Sequence, residues 1–282
     1  MTKEQEIKSV FENKELIISK KKNEVKRADV VLNVSLNEAD DNTNKAVSDL
    51  SAEDINVLNA KLVINTTNLI DSHLDCHVPN IWNKSLKEIG TFFLLQEHEM
   101  EFEMVIADSV NDGLKAYVEN IGWNKLGLKY AGETQALIFE TQIKKDRNEF
   151  MFNQYRKGYV LNHSVGMRYV KMFLCIDSNE PTYSSEKSNW DKYYPIVANK
   201  EVADEKGYFW AVTEAKVIEG SAVVKGSNFA TPTLEIEIDE NKTENIEAVE
   251  DTSKIEPSND TQENQTPPDE AQKQFFINLL KN

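Results

Sequence analysis

Nucleophilic chemistry needs a hydroxyl or thiol, a base within reach of it, and a third group that holds the base. The segment Tyr159-Val160-Leu161-Asn162-His163-Ser164-Val165-Gly166-Met167-Arg168-Tyr169 carries the most suggestive hydroxyl of the chain. Read at the two-residue period of a strand, Leu161, His163, Val165, Met167 and Tyr169 form one face, the core face. Asn162, Ser164, Gly166 and Arg168 form the other. A glycine two positions after the serine leaves room for a substrate backbone to come close. Ser164 is therefore the candidate nucleophile, against the plainer reading of an ordinary strand serine.

Four histidines make the search for a base short. His163 adjoins Ser164, and neighbouring strand side chains point to opposite faces, so it is badly placed to take that proton. His98 lies in Thr91 to Asp108, where Phe92, Leu94, Gln96, His98, Met100, Phe102, Met104 and Ile106 alternate with Glu97, Glu99, Glu101 and Glu103. That pattern predicts a half-buried strand, or a hairpin turning near Glu99, with His98 inward and the glutamates in water. A satisfied core histidine is the competing reading. For the third group, Ala215, Val217, Glu219, Ser221 and Val223 share a strand face that is apolar except for Glu219 and Ser221. A carboxylate on such a row needs a partner, because burying it unpaired costs several kcal/mol. Glu219 is the best acid for holding an imidazole.

The remaining histidines, His73 and His77, flank Asp75 in Asp71-Ser72-His73-Leu74-Asp75-Cys76-His77. His73, Asp75 and His77 would share a face in an extended segment and could ligate a metal, given a further ligand from elsewhere. The reading adopted is a hydrogen-bonded loop leading into Pro79 and Trp82, with no metal and no cofactor.

The elements around these residues follow from periodicity and caps. In residues 1–45, Val10-Phe11, Leu16-Ile17-Ile18 and Val30-Val31-Leu32 predict two short strands separated by the Lys20-Lys21-Lys22 run. Ser51-Ala52-Glu53-Asp54 before Ile55, Leu58 and Leu62 predicts a short capped helix, and Leu62 to Ile70 a strand. Thr134 to Lys144 is a further strand, and Asp146 to Lys157 a helix ended by Gly158. Asp177 to Lys206 is a long polar and aromatic excursion with a short helix, before strand character returns at Tyr208 to Lys225.

The charge of −16 is concentrated at the C-terminus: from Glu235 onward there are thirteen Asp and Glu against four Lys. Periodicity is lost after about Leu234, which predicts a disordered acidic linker. Asp269 then caps a short helix with Phe275, Phe276, Leu279 and Leu280 along one stripe, a helix too short to stand alone in water. No basic patch with interleaved aromatics argues for nucleic acid, and no long apolar run argues for a membrane. Cys76 and Cys175 lack metal or disulfide spacing and fit a reducing compartment.

Four stretches, in order, resemble the prohead (capsid maturation) serine proteases of tailed bacteriophages, which are similar in fold to the herpesvirus assembly proteases. They are Ile70 to Asp75 with Val78-Pro79 and Trp82-Asn83-Lys84-Ser85; Leu94-Leu95-Gln96-Glu97-His98; Asn153 to Gly158 with Leu161 to Met167; and Thr213 to Val224 with Asn228 and Ala230. Glu99, and Gly220 where the family favours a β-branched residue, depart from the pattern. The resemblance implies Ser164 as nucleophile, His98 as general base and Glu219 as third member. It implies a mainly β, α+β fold: a closed antiparallel β-barrel ringed by helices, with residues 1–59 as an N-terminal part, 60–234 as the protease core and 235–282 as the tail. It also implies a serine endopeptidase that cleaves scaffold and major capsid protein inside the assembling procapsid, in the host bacterial cytoplasm. The implied partners are those substrates, a homo-oligomer, and coat or scaffold protein as the dock for the C-terminal helix. The rival reading from another class is a non-catalytic scaffold or assembly protein on the same fold.

Overall fold

The computed structural model describes residues 2–25 and 55–238. The chain divides into two units, Met1–Asn245 and Ile246–Asn282. The second lies outside the described residues, as do the acidic linker, the helix expected after Asp269, the Val30-Val31-Leu32 cluster and the Ser51 cap.

The N-terminal residues form two helices, α1 (Lys3–Glu12) and α2 (Lys14–Asn23), not the two strands expected. Thr2 and Gln5 cap α1 reciprocally. Ile7, Val10, Phe11, Ile17 and Ile18 recur at helical spacing and pack against the main core. The helix expected around Ile55, Leu58 and Leu62 is instead strand β1 (Val57–Thr66). Leu58, Ala60, Leu62 and Ile64 alternate into the core, and pairing on both edges of the strand outweighs their local helical spacing.

The next elements are β2 (Asp75–His77), α3 (Asn83–Glu88), β3 (Phe93–Gln96), β4 (Val105–Asp108), β5 (Lys115–Gly122) and β6 (Glu133–Lys144). Then come α4 (Glu149–Arg156), β7 (Asn162–Ile176), α5 (Ser184–Tyr193), α6 (Lys200–Lys206), β8 (Tyr208–Val223) and β9 (Thr233–Ile238). Asn148 caps α4 through a bond from Met151 N–H, and Gly158, at φ 71°, closes it in the left-handed conformation. Order continues through β9, four residues past the point where periodicity fades.

Two open sheets replace the closed barrel expected. One runs β5-β6-β1-β9. In the other, β8 is the axis: β7 pairs antiparallel along its length on one side, while β2 and β3 pair parallel with successive stretches of the other, and β4 follows β3. Short β2 and β3 share a single flank of β8, and among the described residues no ladder joins the two sheets, so neither sheet closes. The fold is a mixed arrangement of helices and open sheets. The sheets meet at Gly220, where a Cβ would lie 2.6 Å from Phe139 Cε2 and 3.1 Å from Ile64 Cγ2. Among the described residues no helix is long and apolar enough to cross a membrane.

Candidate active site

The β7–β8 ladder sets the site. Ser164 lies opposite Ser221 and Gly166 opposite Glu219, yet Met167 lies opposite Val217. Two steps along β8 thus match one along β7, a bulge at Ile218. In an unbroken strand Val217 and Glu219 would share a face. The bulge leaves Val217 with the core residue Met167 and carries Glu219 to the face of Gly166 and Ser164. Gly220, opposite Val165, then faces the core in place of the carboxylate.

His98 comes from the turn between the antiparallel strands β3 and β4, which fits the hairpin alternative turning near Glu99 and not a continuous inward strand face. β3 ends at Gln96, and Glu97 and His98 both adopt left-handed backbone, at φ 50° and 63°. Consecutive non-glycine residues there are strained by about 1–3 kcal/mol each, a cost associated with functional sites. Glu97 is tied down by Val224 N–H, which donates to Oε1 at 3.0 Å. The alternation fails just beyond, because the chain leaves the sheet: Met100 and Phe102 are exposed rather than inward.

The His98 ring is buried against Glu219, with Nδ1 to Oε1 at 2.6 Å. A carboxylate can only accept, so Nδ1 carries the proton and donates it. In the neutral ring Nε2 is then the lone-pair nitrogen, and it is buried without a hydrogen-bond partner. The second Glu219 oxygen accepts from the Ser221 hydroxyl at 2.6 Å, and that hydroxyl accepts from the His98 backbone N–H at 3.2 Å. Gly166 makes the arrangement possible: a Cβ there would lie 2.7 Å from Glu219 Cδ and closer still to Oε1. The room beside Gly166, expected to admit substrate, holds the Glu219 carboxylate.

Ser164 is on this same face, 8 % exposed. Directly opposed strand residues have Cβ atoms about 4.5–5.5 Å apart, which puts Ser164 one side-chain width from Ser221, whose hydroxyl contacts the His98 turn. No hydrogen bond joins Ser164 to His98 in this structure. Such contacts are often long before substrate is bound. Ser164 also borders a cavity of about 10 Å³ with Asn65, Asp71, His73, Ser227 and Asn228. A wider cleft of about 570 Å³ on the four-stranded sheet, lined by Lys61, Glu140 and Glu235 among others, contains none of the three candidate residues. Its walls carry no imidazole, and of the three candidate residues the smaller cavity is lined by Ser164 alone.

His163 lies on the core side, its ring nitrogens at Tyr155 Oη, 3.0 Å, and the Thr231 carbonyl, 3.1 Å. Burial pushes it down to about 4. Arg168 is exposed. The residues read as possible metal ligands do not converge on one point. Asp75 takes the Lys21 ammonium at 2.5 Å and the Tyr169 hydroxyl at 2.9 Å. His77 meets Asn65 and Tyr169, and burial lowers it to about 4. His73 lies 4.0 Å from Asp71. The Asp71 carboxyl is raised to about 7 by burial first and by the Asp75 charge second. Among the described residues no group of His, Cys, Asp and Glu could hold a metal ion.

Comparison with family models, curated proteins and solved structures found no match. The functional reading therefore rests on this geometry and on the order of the sequence stretches.

Proposed function

We propose that the protein is a serine endopeptidase with Ser164 as nucleophile, His98 as general base and Glu219 holding the base. The observation that supports this reading is the buried His98–Glu219 pair: Glu219 lies on the ladder face that bears Ser164, and His98 Nε2 is left without a hydrogen-bond partner. In the reaction, Ser164 Oγ attacks the scissile carbonyl carbon and its proton passes to His98 Nε2. The imidazolium, steadied by Glu219, returns that proton to the departing amine, and water then releases the acyl group by the reverse sequence. An extended peptide fits the surroundings better than a small ester. Tyr159, Leu161, Met100, Phe102 and Val224, on the segments leading into and out of the site, are all exposed apolar side chains. The capsid-maturation role, with coat and scaffold protein as substrates in the host cytoplasm, is supported by the four ordered stretches. The open sheets depart from that family's barrel, so this part of the proposal stands on sequence alone.

One observation favours the non-catalytic assembly role: Ser164 and His98 are both nearly buried and are not joined by a hydrogen bond. The decisive experiment is co-expression with the coat and scaffold proteins, with a fluorophosphonate probe as a second readout. Cleavage and labelling of Ser164, both lost in a folded Ser164→Ala variant, are expected. Cleavage persisting in that variant, or no cleavage and no labelling of the wild type, would leave the assembly role.

A further inference from the structure

Among the described residues, the hydroxyl that touches both the acid and the base of the site belongs to Ser221, a residue to which the resemblance assigns no role. Ser221 is fully buried, and its Cα is paired with that of Ser164 across the ladder. Its proton goes to Glu219 Oε2 at 2.6 Å, and its oxygen accepts from the His98 N–H at 3.2 Å. A hydroxyl has one proton to give, and here it is committed to the carboxylate. Glu219 therefore cannot rotate about its terminal bond without breaking that contact, and the strained turn at Glu97 and His98 cannot shift without breaking the other. No further side-chain hydrogen bond holds Glu219 among the described residues beyond His98 and Ser221.

We propose that Ser221 is a positioning residue: it fixes the carboxylate of Glu219 and the backbone of His98 as one rigid unit, so that His98 Nε2 stays directed to the face of the nucleophile. This rests on the hydrolase reading of Ser164. Ser221 itself neither gives nor takes a proton in the reaction.

The test uses the full chain with Ser221→Ala and Ser221→Thr, each confirmed folded by circular dichroism. The first readout is the low-field proton resonance of His98 Nδ1–H, assigned by its loss in His98→Gln. The second is hydrolysis of a coat-protein peptide. Ser221→Ala is expected to lose or broaden the resonance and to lower kcat roughly 10- to 100-fold with KM unchanged, the scale of one hydrogen bond to a charged group. Ser221→Thr, which keeps the hydroxyl, is expected to restore both. A resonance unchanged in folded Ser221→Ala overturns the proposal, as does an undiminished kcat, or the absence of the resonance from the wild type. If the wild type neither cleaves nor labels at Ser164, the hydrolase reading fails by itself, and the resonance still decides whether Ser221 holds the His98–Glu219 unit.

Discussion

Glu219 keeps a carboxylate almost wholly out of water because each of its oxygens accepts a hydrogen bond, one from an imidazole and one from a hydroxyl. Gly166 is part of that arrangement although it has no side chain. Replacing it with alanine puts a carbon where Oε1 now sits, in a β-bulged ladder with little freedom to move aside. Gly166→Ala should therefore behave as a loss of the third member. Peptide hydrolysis should fall by about 10³- to 10⁴-fold in kcat, with Ser164 still present and the protein still folded. Steady-state kinetics on a coat-derived peptide would measure this, and a kcat near that of wild type would show that the carboxylate is not needed at that position.

At the scale of elements, α2 is fastened to the β2 region by an ion pair with little access to water. Lys21 Nζ reaches Asp75 Oδ1 and the His73 carbonyl, and its charge lies 5.9 Å from the Trp210 ring centre. Asp71 stands beside Asp75, receiving backbone N–H bonds from His73 and Asp75 itself. Lys21 is thus the cation that offsets the buried Asp75 carboxylate. Lys21→Met should cost about 3–5 kcal/mol, because it leaves the Asp75 carboxylate buried without a counter-charge. Adding Asp75→Asn should recover part of the loss. Urea unfolding of the single and double variants measures both; a single variant within experimental error of wild type would mean that the pair is worth nothing net.

For the whole molecule, three buried groups give stability a pH dependence whose sign can be worked out. The Asp71 carboxyl is raised from 3.8 to about 7, so the folded state holds a proton that the unfolded chain releases. Its contribution is complete below about pH 4 and is lost as pH rises to about 7. His77 and His163 are lowered from 6.5 to about 4, so they act the other way: their contributions are complete above about pH 6.5 and are lost as pH falls to about 4. Two histidines outweigh one aspartate between those limits. Stability should rise from pH 4 to about 7 and then level off, with Asp71 offsetting about half of what the histidines contribute. Asp71→Asn should steepen that rise and raise stability at pH 8 by on the order of 2–4 kcal/mol. Urea titrations at stepped pH would test it; a profile in which Asp71→Asn and wild type run parallel would show that Asp71 ionises normally.

The sequence by itself determined which side chains were available for chemistry and which local elements would carry two of them. Alternation over Leu161 to Tyr169, strand character over Tyr208 to Lys225, and the helix closed by Gly158 are local signals, and they appear within β7, β8 and α4. Only the tertiary structure decided that His98 meets Glu219, a contact between residues 121 positions apart. It also decided that Glu219 turns to the Ser164 face. A bulge adds one residue to one strand, and a two-residue period read along that strand cannot show where the count slips. The open edges of the sheets were illegible for the same reason, whereas the N-terminal helices carry a local signal in the Thr2–Gln5 capping pair and the turn after β3 is the hairpin alternative read near Glu99. Sheet edges are settled by which backbone groups find partners in distant segments, and that choice is made only when the whole chain has packed.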